Sequence, residues 1–173
     1  VGLTAATVSV VLGSLVGALA GYYGGRADRV LTWLIEIFQT TPSFLLVVVV
    51  VSITQSTVGI IAVVIGLTSW DTVARLVRAE FRALLSADFV LAARSVGYST
   101  PWIIFREVLP NTVAPIIITA SVIVASAILT ESSLAFLGVG DPNTISWGSM
   151  IGSGRDLLRS ALYLTAIPGL ALV

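Results

Sequence analysis

Cysteine, histidine and lysine are absent from these 173 residues, and methionine occurs once, at Met150. Without cysteine there is no disulfide and no thiolate nucleophile, and the further lack of histidine removes imidazole bases and the usual zinc ligands together. Without lysine there is no glycine-rich phosphate loop ending in Lys-Ser or Lys-Thr, so the chain is not expected to hydrolyse ATP itself. Serines are plentiful, but neither histidine nor lysine is there to activate one as a nucleophile. No catalytic site, metal site or cofactor is therefore expected. Charge is scarce as well: 10% of residues carry one, against roughly a quarter in a soluble domain. Nine arginines balance nine acids, so net charge is zero and nothing points to nucleic acid.

What remains is apolar. Hydrophobic residues make up 57% of the chain and mean hydropathy is +1.04, the composition of an integral membrane protein. Residues 1–25 carry no charge and form a first span. Glu36 and Asp71 enclose 34 uncharged residues, too many for one crossing of roughly 20. The polar break Gln55-Ser56-Thr57 divides them into helices near 35–54 and 58–77. A fourth run covers 108–130 and a fifth begins at Arg159. Unpaired backbone amides are excluded from lipid, so even the β-branched stretch 47–51 reads as helix, and the runs are too long and too regular for barrel strands. Four full spans and one partial span result, taken as one domain over 1–173. The start at Val1, in an apolar run without a basic leader, and the short run after Arg159 read as a fragment with an earlier span missing and its last span cut.

Seven arginines (Arg26, Arg29, Arg75, Arg78, Arg82, Arg94, Arg106) fall on one side of these spans and two, Arg155 and Arg159, on the other. The positive-inside bias places 26–34 and 78–111 in the cytoplasm. Within the spans, Gly13, Gly17, Gly21 and Gly25 recur every fourth residue and bare one helix face for close packing. Pro42, after Gln39-Thr40-Thr41, is expected to kink the second span, with the hydroxyls satisfying the broken turn. The pairs Asp71/Arg75 and Arg78/Arg82 mark a helix leaving the membrane. Glu131, near the outer end of the fourth span, is expected to be a structural acid bonding to the following loop. Residues 136–158 are too short to cross and read as an outer turn with a surface or re-entrant helix.

The 78–111 segment reads as two short helices hinged at a glycine. Ser86 is available as a cap, Asp88 stands in the first turn where the helix dipole favours an acid, and Gly97 lies just past the end. Thr100 and Pro101 restart the chain as N-cap and first-turn proline, and Pro110 is expected to halt the second helix after Leu109. At helical spacing Phe89, Ala92, Ala93 and Val96 share one face of the first helix, and Trp102, Phe105 and Leu109 one face of the second.

Ala92-Ala93, Gly97 four residues on and Leu109-Pro110 resemble the signature loop of binding-protein-dependent ABC-importer permeases. Leu91 stands where that motif has an acid, and Glu107 where it has an apolar residue. The stretch 89–111, with Gly21-Tyr22, Gly24-Gly25, Asp28, Ala74-Arg75-Leu76-Val77-Arg78, Ala135-Phe136-Leu137-Gly138, Ser146-Trp147-Gly148 and Pro168-Gly169, is similar to the second permease subunit of the dipeptide, oligopeptide and nickel importers. The likeness covers essentially the whole chain. It implies an all-α integral membrane fold, the type I permease helical bundle with a cytoplasmic two-helix coupling loop, in the bacterial cytoplasmic (inner) membrane. It also implies the partners: a second permease subunit sharing the solute pathway, two cytoplasmic ABC ATPase subunits docking on the loop through Phe89, Ala92, Ala93, Gly97, Trp102, Leu109 and Pro110, and an external solute-binding protein. The alternatives are an ATPase-independent channel or ion-coupled carrier, which calls for midplane acids or broken helices suited to ions, whereas the acids here cluster towards the ends, and a membrane scaffold.

Overall fold

The computed structural model describes residues 1–54, 57–158 and 161–172, with the side chain of Asp156 excepted; Gln55 and Ser56 of the polar break and Arg159 at the fifth run lie outside the described residues. Among the described residues the chain is helical, with no strand. The helices in order are α1 (Gly2–Tyr23), α2 (Gly25–Thr40), α3 (Ser43–Ile53), α4 (Val58–Leu85), α5 (Asp88–Ser95), α6 (Thr100–Ile103), α7 (Leu109–Phe136), α8 (Trp147–Gly154) and α9 (Tyr163–Leu172). A π-helical turn, Ile104–Val108, joins α6 to α7, and a 3₁₀ turn, Arg155–Leu157, follows α8.

Three stretches are long and apolar enough to cross a membrane: Gly2–Tyr23, Val58–Leu85 and Thr100–Phe136. The pair α2 and α3 makes a fourth if counted as one broken span. These correspond to the four uncharged runs, and α9, at 10 residues, to the fifth. The expected kink at Pro42 is a full break. Thr41 is extended (φ −91°, ψ 128°) and Pro42 itself caps α3, because proline disfavours the helical region for the residue before it. The Thr40 and Thr41 hydroxyls both donate to the Ile37 carbonyl at 3.0 Å, filling acceptors that the break leaves open.

The chain forms two compact units. One comprises Val1–Ala6, Pro42–Thr68 and Ile123–Val173. Its core is aliphatic: Ala5, Val47, Val51, Ile61, Val64, Ile65, Ala127 and Leu134 pack together, so the valine run lies in a helix and buries two of its members. Asp141 ties a loop of this unit to the start of α4, accepting from the Val58 amide (3.1 Å) and from the Asn143 amide (2.9 Å). Ser146 and Ser149 cap α8 reciprocally, each hydroxyl accepting from the other residue's amide. A side chain at Gly148 would start 1.9 Å from the Ser132 carbonyl oxygen, so α8 lies backbone to backbone against α7.

The other unit comprises Thr7–Thr41 and Ser69–Val122. Here α1 meets α4 along the glycine stripe. A Cβ at Gly13 would lie 2.5 Å from the Val73 Cβ, one at Gly17 2.4 Å from the Ala74 carbonyl oxygen, and one at Gly21 2.7 Å from the Phe81 Cβ. Three of the four stripe glycines thus admit a close helix approach. Gly25 departs from the expectation: no other helix lies within 4 Å of a Cβ built there, and with Gly24 it turns the chain at positive φ (55° and 60°) between α1 and α2. Val73, Val77 and Phe81 are fully buried, and Phe38 meets Trp70 edge to face at 5.2 Å.

Candidate functional site

The segment between α4 and α7 folds as the two-helix elbow that the sequence suggests, with three local differences. First, α4 runs on to Leu85, so Ser86 closes it rather than opening α5: its hydroxyl donates to the Ala83 carbonyl (2.9 Å), and Ala87 takes the N-cap position. Asp88 stands in the first turn of α5. Second, α6 starts one residue earlier than expected, with Ser99 as its N-cap. The Thr100 hydroxyl is engaged instead with Tyr22 of α1, whose phenol donates to it at 2.9 Å.

Third, Pro110 does not end a helix. In an α-helix its ring would strike the Arg106 carbonyl and leave that acceptor unpaired. The π turn immediately before it widens the backbone, with the Leu109 amide bonding to Ile104 five residues back. Asn111 Nδ2 donates to the Glu107 carbonyl (2.6 Å) and the Thr112 hydroxyl to the Leu109 carbonyl (2.8 Å), so side chains supply bonds around the proline. The helix then continues through Pro110 and Pro115 to Phe136.

Gly97 sits at φ 91°. Its amide donates to Arg94 (3.0 Å) and that of Tyr98 to Ala93 (3.2 Å), the paired bonds of a Schellman helix end, for which a left-handed residue is needed. Nothing lies within 4 Å of a Cβ built there, so conformation rather than crowding disfavours a side chain. Beyond the turn, the Tyr98 and Trp102 rings stack at 3.8 Å and 9°.

Three apolar anchors fix the elbow: Val90, Ile103 and Val108 are buried, and none of them is singled out by the sequence pattern. The expected docking residues distribute differently. Phe89 and Ala92 are exposed, Ala93, Trp102 and Leu109 half-buried, and Pro110 exposed. Val96 and Phe105 are outermost at 73% and 67% exposure. The π turn shifts the helical phase between Phe105 and Leu109, which is why these two and Trp102 do not share one surface.

Polar ties complete the site. Arg78 and Arg82 do not pair along their own helix; both reach across to Asp28, in the first turn of α2 and only 7% exposed. Arg78 donates through Nε (2.5 Å) and Nη2 (2.9 Å), Arg82 donates through Nη2, and the Thr32 hydroxyl adds a bond at 3.3 Å. These are the two ion pairs among the described residues. Arg75 likewise bonds to Gln39 (3.3 Å) instead of Asp71. The signal available in the sequence was an acid just after a Gly-Gly turn and two arginines one helical turn apart; nothing in one sequence joins residues 50 apart. At the far end of α7, Glu131 lines a hollow with Thr144, Ser146 and Trp147. Its carboxylate makes no hydrogen bond or ion pair among the described residues, and the acid that bonds the loop is Asp141.

Apolar helices of crossing length, broken at a proline and joined by an organised polar elbow, define a polytopic α-helical membrane protein. The chain belongs to the family of binding-protein-dependent transport system inner membrane components, which matches residues 13–173. It is 36% identical over 174 residues to the di/tripeptide transport system permease protein DppC of Pseudomonas aeruginosa, covering 100% of this chain and 57% of that protein. Identity to the oligopeptide transport system permease protein OppC of Mycobacterium tuberculosis is 35% over 176 residues, 100% of this chain and 60% of the relative. With OppC of Bacillus subtilis it is 31% over 159 residues, 91% of this chain and 52% of the relative. The chain therefore spans a little over half the length of these curated relatives.

Proposed function

We propose that this chain is a transmembrane permease subunit of an ATP-driven importer of di- or oligopeptides or nickel-type solutes. It forms half of the translocation pathway with a second permease subunit and receives solute from an external binding protein. The arginine-rich elbow lies in the cytoplasm and docks into a groove on one of two ATPase subunits, in the manner of a helix seated in an apolar groove. Its similarity to di/tripeptide and oligopeptide permeases supports the solute class.

The observation that carries the docking role is the pair of outward apolar residues on the elbow, Val96 at 73% and Phe105 at 67% exposure. They stand beside arginines Arg94 and Arg106, outside the long uncharged runs of the sequence. A gate responds only to contacts that differ between its states, and this surface is where an ATPase supplies them. The test is Gly97→Asp in the full-length subunit. A left-handed position costs a non-glycine residue roughly 1–2 kcal/mol, so the elbow should lose its angle while membrane insertion persists. The ATPase subunit should then fail to co-purify and ATP-coupled peptide uptake into vesicles should stop. ATP-coupled uptake at the unaltered rate refutes the reading.

A further inference from the structure

The two ends of the elbow are tied to the same short corner of the chain. Tyr22, at the end of α1, bonds to Thr100 where the elbow's second helix begins. Asp28, at the start of α2, holds Arg78 and Arg82 in the last turns of α4, where the elbow begins. Between Tyr22 and Asp28 lies the Gly24-Gly25 turn, which brings both groups to one corner.

The ties differ in kind from the anchors Val90, Ile103 and Val108. Apolar contact is non-directional and tolerates sliding. A guanidinium fork on a carboxylate fixes distance and angle together. The Asp28 carboxylate accepts from Arg78 twice, from Arg82 and from Thr32, which fills the roughly four acceptor sites of an ionised carboxylate. It has no capacity left for water or another partner, so the corner holds one geometry.

We infer that Asp28 is a positioning residue for energy coupling: the α1–α2 corner is the bearing against which the elbow works, so that a push on the elbow moves α1 and α2 with it. Without the bearing the elbow would shift on its apolar anchors and the stroke would be absorbed there. This rests on the proposal that an ATPase docks on the elbow, and it assigns a role to residues outside the proposed docking surface.

The experiment uses the complete transporter, with full-length permease subunits, ATPase subunits and binding protein, reconstituted in lipid vesicles with a radiolabelled dipeptide. The readout is dipeptide transported per ATP hydrolysed. Asp28→Asn keeps the shape but loses the charge; hydrolysis should continue while the ratio falls at least about fivefold, the lower end of typical coupling between sites. Asp28→Glu should restore most of it. Arg82→Ala, at a half-exposed side chain that leaves the Arg78 fork in place, and Tyr22→Phe should each give a smaller drop in the same ratio.

A merely structural role predicts less assembled complex with transport and hydrolysis reduced in proportion, and that result overturns the inference. Should Asp28→Asn fail to assemble, Arg82→Ala and Tyr22→Phe decide alone, and an unchanged ratio in both overturns it equally. If the unaltered complex takes up no dipeptide on ATP, the docking proposal fails and this inference with it. If it does, and the variants keep its ratio, the inference alone fails.

Discussion

The two units of the chain solve one problem by different chemistry. In a membrane, lipid tails are as apolar as leucine, so burying a leucine between helices gives little drive to associate, and position must come from close packing and polar contacts. The unit of Thr7–Thr41 and Ser69–Val122 contains seven of the nine arginines in the sequence, the two described ion pairs, and α1 lying on α4 along bare glycines. The unit of Val1–Ala6, Pro42–Thr68 and Ile123–Val173 has an aliphatic cluster, a carboxylate capping a helix start and a serine pair closing another. The first is held by bonds whose direction matters, the second by shape and by local caps. The elbow emerges from the first, where a displaced helix end meets directional resistance.

Four substitutions test that contrast. The largest effect is expected at Asp28→Ala, which leaves the half-buried Arg78 guanidinium without its acid; losing hydrogen bonds to a charged group costs about 2–3 kcal/mol. It should appear as a lower thermal midpoint of the purified complex, and an unshifted midpoint would mean that the pair is dispensable. Next is Gly17→Leu, whose first carbon falls 2.4 Å from the Ala74 carbonyl oxygen and should cost about 2 kcal/mol by overpacking, separating α1 from α4 in cross-linking. In the aliphatic unit, Leu134→Ala removes a fully buried side chain. Lost packing remains but the transfer gain that applies in water does not, so about 1–2 kcal/mol is expected. A cost matching that of Asp28→Ala would erase the distinction between the units. The smallest is Ser146→Ala, which removes a cap worth about 1 kcal/mol and should speed hydrogen exchange in α8 without altering exchange at the elbow.

The spans were legible because charge is so costly in lipid that its absence over 20 or so residues marks a helix. The elbow's turn was legible for a related reason: few residues but glycine take the conformation found at Gly97. What could not be read was how strong local rules yield to neighbours. Pro110 has the signature of a helix end, yet a widened turn and the Asn111 side chain let the helix through. Pro42 has the same chemistry without that preparation, and there the helix breaks. Ser86 and Thr100 are good caps by type, but one was already spent on α4 and the other on Tyr22. Arg78 and Arg82 suggested only a helix leaving the membrane, since the acid they share lies 50 and 54 residues earlier.

The π turn at Ile104–Val108 means that this stretch carries one residue more than an unbroken α-helix would need. Its presence sets the azimuth of the elbow. Winding the same residues as an unbroken α-helix would leave both flanks helical and the membrane crossing intact, yet rotate everything upstream by about 100°, the angle of one helical step. Phe105 and its neighbours would then look in another direction, and a partner shaped to meet them would find arginines or bare backbone instead. The aim of the elbow thus depends on how five residues are wound as much as on which side chains it displays.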